Sequence, residues 1–292
     1  MKSREEWGRF LQDRLEGRVL EPLGEVVALS PMTKGKKGLV FLVAGSRGKG
    51  VLRLYKDPLV MARTRKVYGL CQGAGVSVAQ IHFFEMGKGW IVRGIWGLSL
   101  EEWVEPWRGG GSLLMEELAR LHAIRRLRWG DPLLGRVGSW LEMEMERTHS
   151  RLDRWAEWRG VEVEAYREWL EEKRSRLVPL KSYSLIHGDL APSNLGSRGG
   201  RPVLLDLDRA RFAHPLVDVV ALVHHFPQIQ KGEVEDYLSL LGFTGEDWTF
   251  FLCLFHLKRL IRALKHYEKG EREWKEVVEA HEACLRTVMD DH

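Results

Sequence analysis

The sequence predicts an α+β chain in two lobes, a small β-rich N-terminal lobe and a larger, mainly helical C-terminal lobe. Three observations lead there. Short β-branched and aromatic runs, broken by glycine turns, crowd the first hundred residues. Apolar residues at helical spacing dominate the remainder. The charge divides the same way: residues 1–100 carry 17 Lys and Arg against 8 Asp and Glu, and the other 192 carry 28 against 33. A basic first third and an acidic remainder point to different partners, with an anionic ligand suited to the first.

The 292 residues are enough for two modest domains and a sizeable core. No apolar run approaches the roughly 20 residues that cross a bilayer. The N-terminal stretch MKSREEWGRFLQDRLEG lacks the apolar centre of a secretion signal. Cys71, Cys253 and Cys284 are odd in number and far apart, which excludes a disulfide framework or a metal-ligand pattern. These features predict a reduced, cytoplasmic protein without a transmembrane segment. The pI of 8.9 raises nucleic acid as a partner. The basic residues are dispersed and lack an aromatic stripe, so no nucleic-acid partner is expected.

Taken in order, Trp7, Phe10, Leu11 and Leu15 give the N-terminus one apolar helical face. Runs 26–32, 39–45 and 50–56 read as strands, separated by KGKKG and SRGKG. A helix is expected over about 58–72. Two more strands follow at 76–85 and 89–96, and a short connection near 93–98. Amphipathic helices are expected at 113–127, 139–158 and 164–177, and a strand at 202–208. Helices resume at about 215–227, 233–241, 246–268 and 271–288. Trp155, Trp158, Trp169 and Trp274 lie in charged helical text and read as packing anchors.

The chemistry concentrates in LIHGDLAPSNLG, residues 185–196. Asp189 in a tight loop can accept a proton. Asn194, and Asp206 at the end of the strand-turn-strand unit GSRGGRPVLLDLD, offer hard oxygens of the kind Mg²⁺ prefers, with water and phosphate completing the sphere. One carboxylate base with two oxygen ligands on neighbouring loops is the minimum equipment for phosphoryl transfer to a hydroxyl. His187 reads as structural, a hydrogen-bonding group that holds the loop.

HGDLAPSN followed by LLDLDRA resembles the aminoglycoside phosphotransferase/choline kinase family, which has the protein-kinase-like fold. LARLH (118–122) resembles the helix before the catalytic region, and HPLVDVVAL (214–222) the segment after the metal aspartate. The resemblance covers most of residues 26–225. It implies a nucleotide-binding lobe at 1–96 and a helical lobe at 97–292 that carries catalytic loop, metal site and acceptor pocket. ATP and Mg²⁺ are the implied cofactors. Asp189 is the implied base, Asn194 and Asp206 the metal ligands, and Asp218 a brace for the catalytic loop.

The same resemblance lays the turn 32–38, with Lys34 and Gly35, over the phosphates. It puts Arg53 on them, with Lys56 as the alternative, and gives adenine the backbone around Arg93–Ile95. Period-2 alternation sets Arg53 and Tyr55 on one face of their strand, and Leu52 and Leu54 on the other. One departure stands out. Thr64 occupies the position where the family has a glutamate that pairs with the basic strand residue, and Asp57 is the one acid nearby in sequence. Either something else orients Arg53 or the lobe is a non-catalytic, pseudokinase-type nucleotide-binding module.

Gly188 stands where protein kinases have an arginine, and only residues 207–217 separate Asp206 from Asp218. That is too short for a peptide-docking activation segment, so a small-molecule acceptor is expected. Segments 139–177 and 225–265 are its implied lining. The acidic balance there suits a cationic amino alcohol or aminosugar. His224, His225 and the basic residues of 257–267 suit a neutral or anionic sugar such as one of a lipopolysaccharide core. Asp208 reads as a salt-bridge partner of Arg209 or Arg211, or as a second metal contact. Oligomeric state is not written in the sequence.

Overall fold

The computed structural model describes residues 4–17, 19–20, 23–31, 39–55, 57–86, 90–96 and 107–290. The chain separates into two compact units. The first holds Met1–Ile124, Asp131–Leu134 and His187–Ala210; the second holds Arg125–Gly130, Gly135–Ile186 and Arg211–His292. Residues 187–210, which carry most of the LIHGDLAPSNLG motif, group with the strands of the first unit.

The first unit opens with helix α1 (Arg4–Leu15) and strands β1 (Val19–Leu20), β2 (Gly24–Pro31), β3 (Leu39–Gly45) and β4 (Gly48–Tyr55). Helix α2 (Pro58–Gly73) precedes β5 (Gln80–Met86) and β6 (Trp90–Trp96). The six strands form one sheet in the order β1-β2-β3-β4-β6-β5. Trp7, Leu11 and Leu15 recur four apart on α1 and pack against Leu23, Val26, Phe41, Val43 and Leu52. Val51, on the other face of β4, packs with Ala79, Val203 and Leu205. Asp57 starts α2: its carboxylate accepts the Leu59 amide at 2.8 Å and Pro58 fills the first turn.

Residues 76–79, read as strand from sequence, are not part of the sheet. Their backbone is taken by the second motif hairpin, β9 (Leu195–Arg198) and β10 (Arg201–Leu204). The Leu204 amide donates to Ser77 O at 2.8 Å and the Ala79 amide to Leu204 O at 3.3 Å. Helix α3 (Gly111–His122) secures the junction, because the buried Glu117 carboxylate accepts the Ser77 amide and pairs with Arg120 at 2.8 Å. The hairpin is therefore built into the first unit. Gly199 and Gly200 make its two-residue turn with φ of 58° and 74°, the left-handed pair that a tight hairpin demands.

The apolar spacing predicts α3 to run to 127. The helix ends at His122, because Arg125–Arg126 form strand β7, which pairs with β8 (Tyr183–Ile186). Strand pairing overrides helical propensity there. In the second unit β7 and β11 (Arg211–Ala213) flank β8 in a three-stranded sheet. The rest is helical: α4 (Trp140–Arg159), α5 (Glu164–Arg176), α6 (Leu216–His225), α7 (Lys231–Leu241), α8 (Gly245–Tyr267) and α9 (Lys275–Asp290).

Helix α8 is the spine of this unit, burying Phe250, Phe251, Leu254, Leu257, Leu260 and Leu264. Trp155 is fully buried, whereas Trp158, Trp169 and Trp274 are half-buried beneath Arg159, Lys173 and His266. Among the described residues no single helix is long and apolar enough to cross a membrane. One bent pair, α7 with α8 at a 111° break, meets that measure by length and composition.

Candidate active site

The LIHGDLAPSNLG motif runs from β8 through a loop into β9, and three hydrogen bonds give that loop shape. His187 is fully buried, and its Nε2 lies 2.8 Å from Leu205 O, which ties the loop start to the end of β10. Asn194 donates from Nδ2 to Asp189 O at 2.8 Å, closing the loop on itself. The Leu205 amide donates to Asn194 O at 2.9 Å and continues the β9–β10 ladder by one rung. Asn194 and Asp206 thus emerge side by side from the open end of one hairpin, and Asp189 is pinned to the first of them.

Gly188 has φ of +78°, a conformation that would strain the arginine protein kinases place there. The absence of that arginine is therefore written into the backbone as well as the sequence. Asp206 has φ of 52° and ψ of 60°, and among the described residues it is the one non-glycine with positive φ. Such a conformation costs about 1 kcal/mol or more and persists where surroundings impose it. The strand read from 202 to 208 accordingly stops at Leu204, and Leu207–Arg209 turn into a short 3₁₀ segment.

Arg53 reaches this turn from β4. Its Nη1 lies 2.7 Å from Asp206 Oδ1 and 2.8 Å from Asp208 Oδ2. Burial works against the Arg53 charge, and Asp208, then Asp206, outweigh it, so the guanidinium is held above its usual range. Asp208 Oδ1 accepts from Tyr55 OH at 2.7 Å and from Thr64 Oγ1 at 3.1 Å. Arg63 adds a 3.3 Å bond to Asp208 O. Asp208 therefore pairs with Arg53, a partner remote from it in sequence. Sequence distance hid this: residues 53, 55, 63 and 64 meet residue 208 only through tertiary packing. Period-2 alternation on β4 did signal that Arg53 and Tyr55 face the same way.

Asp189 is part-exposed, with Arg209 Nε 3.5 Å from Oδ2. Asp218 is buried in the first turn of α6, in the second unit, where its charge helps raise the Tyr237 hydroxyl, after burial. Arg93 and Ile95 lie in β6, whose backbone has β4 on one side and β5 on the other. Residues 93–96, expected to begin the connection, are strand, and 97–98 lie outside the described residues. Lys34, Gly35 and Lys56 lie outside the described residues.

The donor set suits a hard divalent cation. Asn194 commits its amide nitrogen to the loop, so its amide oxygen is the hard donor it can offer, and Asp206, next to Leu205 just past the adjoining strand, supplies a carboxylate. Among the described residues no group of three or more His, Cys, Asp or Glu forms a metal cage. Two oxygens without a cage fit an ion that shares its sphere with phosphates.

A kinase-like N-terminal sheet, a helical C-terminal part and this loop chemistry define a phosphotransferase of the protein-kinase-like fold. The chain matches the phosphotransferase enzyme family (APH) over residues 28–251, and it belongs to that family. No curated protein matches it by sequence.

Several solved structures share its fold. A thermostable mutant of aminoglycoside phosphotransferase APH(4)-Ia, in ternary complex with AMP-PNP and hygromycin B, superposes with a TM-score of 0.64 at 15% identity, covering 97% of both chains. A choline/ethanolamine kinase family protein from Mesorhizobium loti gives 0.59 at 16% identity over 90% of this chain and 88% of the other. Amicoumacin kinase hAmiN, in complex with AMP-PNP, Ca²⁺ and Ami, gives 0.56 at 14% identity over 97% and 92%.

Proposed function

We propose that the protein transfers the γ-phosphoryl group of ATP to a hydroxyl of a small molecule. The observation that carries this reading is the hairpin that brings Asn194 and Asp206 together, ties Asp189 to Asn194, and meets Arg53 at 2.7 Å. Asp189 orients the acceptor hydroxyl and takes its proton as the new O–P bond forms and the bond to ADP breaks. Asn194 and Asp206 would hold Mg²⁺. Bound Mg²⁺ supplies compensation for charge on the phosphate oxygens. Arg53 positions the phosphates, and Lys34 and Gly35, outside the described residues, are the further candidates to meet them. His187 supports the loop through its bond to Leu205 O. The nucleotide-binding lobe corresponds to 1–96, and 97–292 supplies the remainder.

Family membership supports this reading, as do the AMP-PNP complexes of two structures that share the fold. The pseudokinase alternative drew its motive from Thr64, and that motive weakens now that Asp206 and Asp208 both face Arg53. The acceptor we favour is an amino alcohol, an aminosugar or a sugar, a lipopolysaccharide-core sugar included, bound among 139–177 and 225–265. The unpaired Cys71, Cys253 and Cys284 support a reducing, cytoplasmic setting. A coupled ADP-release screen over these acceptor classes tests the proposal. Mg-dependent turnover with one class, lost in Asp206→Ala, is expected. No turnover with any class and no binding of Mg·ATP would overturn it.

A further inference from the structure

We infer that Asp208 is the positioning residue for Arg53, standing in for the acid that helix α2 lacks. The inference deepens the kinase reading and rests on it for its consequence, though not for its geometry.

The carboxylate of Asp208 has only 16% of its side chain exposed and is committed on both oxygens. Oδ2 faces Arg53 Nη1 at 2.8 Å, and Oδ1 receives Tyr55 OH and Thr64 Oγ1. Thr64 is fully buried, and its hydroxyl also donates to Val60 O within α2 at 2.9 Å. The threonine at the glutamate position thus contacts the acid that has taken over its work. A carboxylate with three partners is poorly placed to ligate a second metal, because each partner would lose a charge-assisted bond. Asp206, more exposed at 43%, touches the same Arg53 nitrogen. With Asp208 dedicated to Arg53, Asp206 can turn to a cation without releasing the guanidinium.

The relocation changes what Arg53 depends on. An acid on a mobile helix would let that helix gate the basic residue. Here the acid sits two residues from the metal aspartate, on the loop that also carries it. Phosphate positioning and the metal loop therefore move as one body, and α2 is fastened to that body through Thr64 and Arg63.

The test uses the full chain and two readouts. The first is the ¹⁵N side-chain NMR signal of Arg53, recorded without nucleotide. Restricted guanidinium rotation is expected in the wild type and in Asp206→Asn, clearly faster in Asp208→Ala, where Asp206 alone still faces Nη1, and slowed again in Asp208→Ala with Thr64→Glu, where the new carboxylate fills the vacated space. The second is binding of Mg with a fluorescent ATP analogue. Asp208→Ala is expected to weaken it by roughly tenfold or more, the double variant to recover most of that, and the KM for ATP to move more than kcat.

An Arg53 signal unchanged in Asp208→Ala, or a double variant no better than the single, would overturn the inference. Wild-type protein that binds no nucleotide would instead sink the kinase reading, with the NMR series still deciding what holds Arg53. Thermal unfolding of each variant separates loss of positioning from loss of fold.

Discussion

Acid should loosen this protein through one pair of imidazoles in the second unit. His256 and His281 are each 6% exposed, and their Nδ1 atoms lie 3.0 Å apart, one neutral ring donating to the other. Arg259 and His225 form a 2.7 Å pair nearby, and the exposed His224 ring lies within 6 Å of both buried ones. Burial first, then His224 and Arg259, pulls His256 down to about 4. Burial first, then His256, His224, Arg259 and His225, pulls His281 down to about 3.

In the unfolded chain both would titrate near the ordinary value of about 6.5. Between the two values the unfolded state binds more protons, so stability is full above pH 6.5 and falls as the pH drops. From pH 7.5 to 5 one such group removes about 2 kcal/mol, and two independent groups about 4 kcal/mol. Solvent beside the exposed His224 screens the cluster, so a loss of about 2 kcal/mol for the pair is the expectation. Urea denaturation from pH 7.5 to 5 measures it, with His256→Gln as the comparison. The variant should lose about half as much stability over that range or less. Equal slopes in the two proteins would refute the assignment.

Other expected outcomes rest on the same kind of contact. Asp189→Asn should lower turnover by roughly 10²–10⁴-fold with little change in melting, because Asn194 bonds the main chain of Asp189, not its carboxylate. A thiol reagent at pH 8 should modify Cys284 quickly and the other two only after denaturation. Cys71 and Cys253 are buried, and burial followed by Glu117 pushes Cys71 up to about 12. Asp247→Ala should cost about 2–3 kcal/mol in chemical denaturation, since its buried carboxylate accepts from Thr244 N, Thr244 Oγ1 and Val178 N. Thr244→Ala removes the helix cap and one of the three donors to Asp247, leaving the two backbone donors, and should cost about 1–2 kcal/mol; a loss larger than that of Asp247→Ala would contradict this account.

The sequence alone determined what local chemistry can determine. Alternation on β4 told which face Arg53 and Tyr55 share, the four-residue rhythm of Trp7, Leu11 and Leu15 gave α1 its buried side, and glycines marked the hairpin turn at 199–200. The motif LIHGDLAPSNLG announced its loop because the residues that close it, Asp189 and Asn194, lie five apart. Tertiary structure decided everything that joins distant segments. Residues 76–79 left the sheet because Leu204 claims their backbone, and α3 stopped at His122 because β8 pairs with Arg125–Arg126. Above all, the partner of Arg53 lies on a turn far along the chain, near Thr64 in space and remote from it in sequence. A carboxylate acts over a few ångströms whatever the length of chain between, so an acid missing from one helix can be supplied from another part of the sequence.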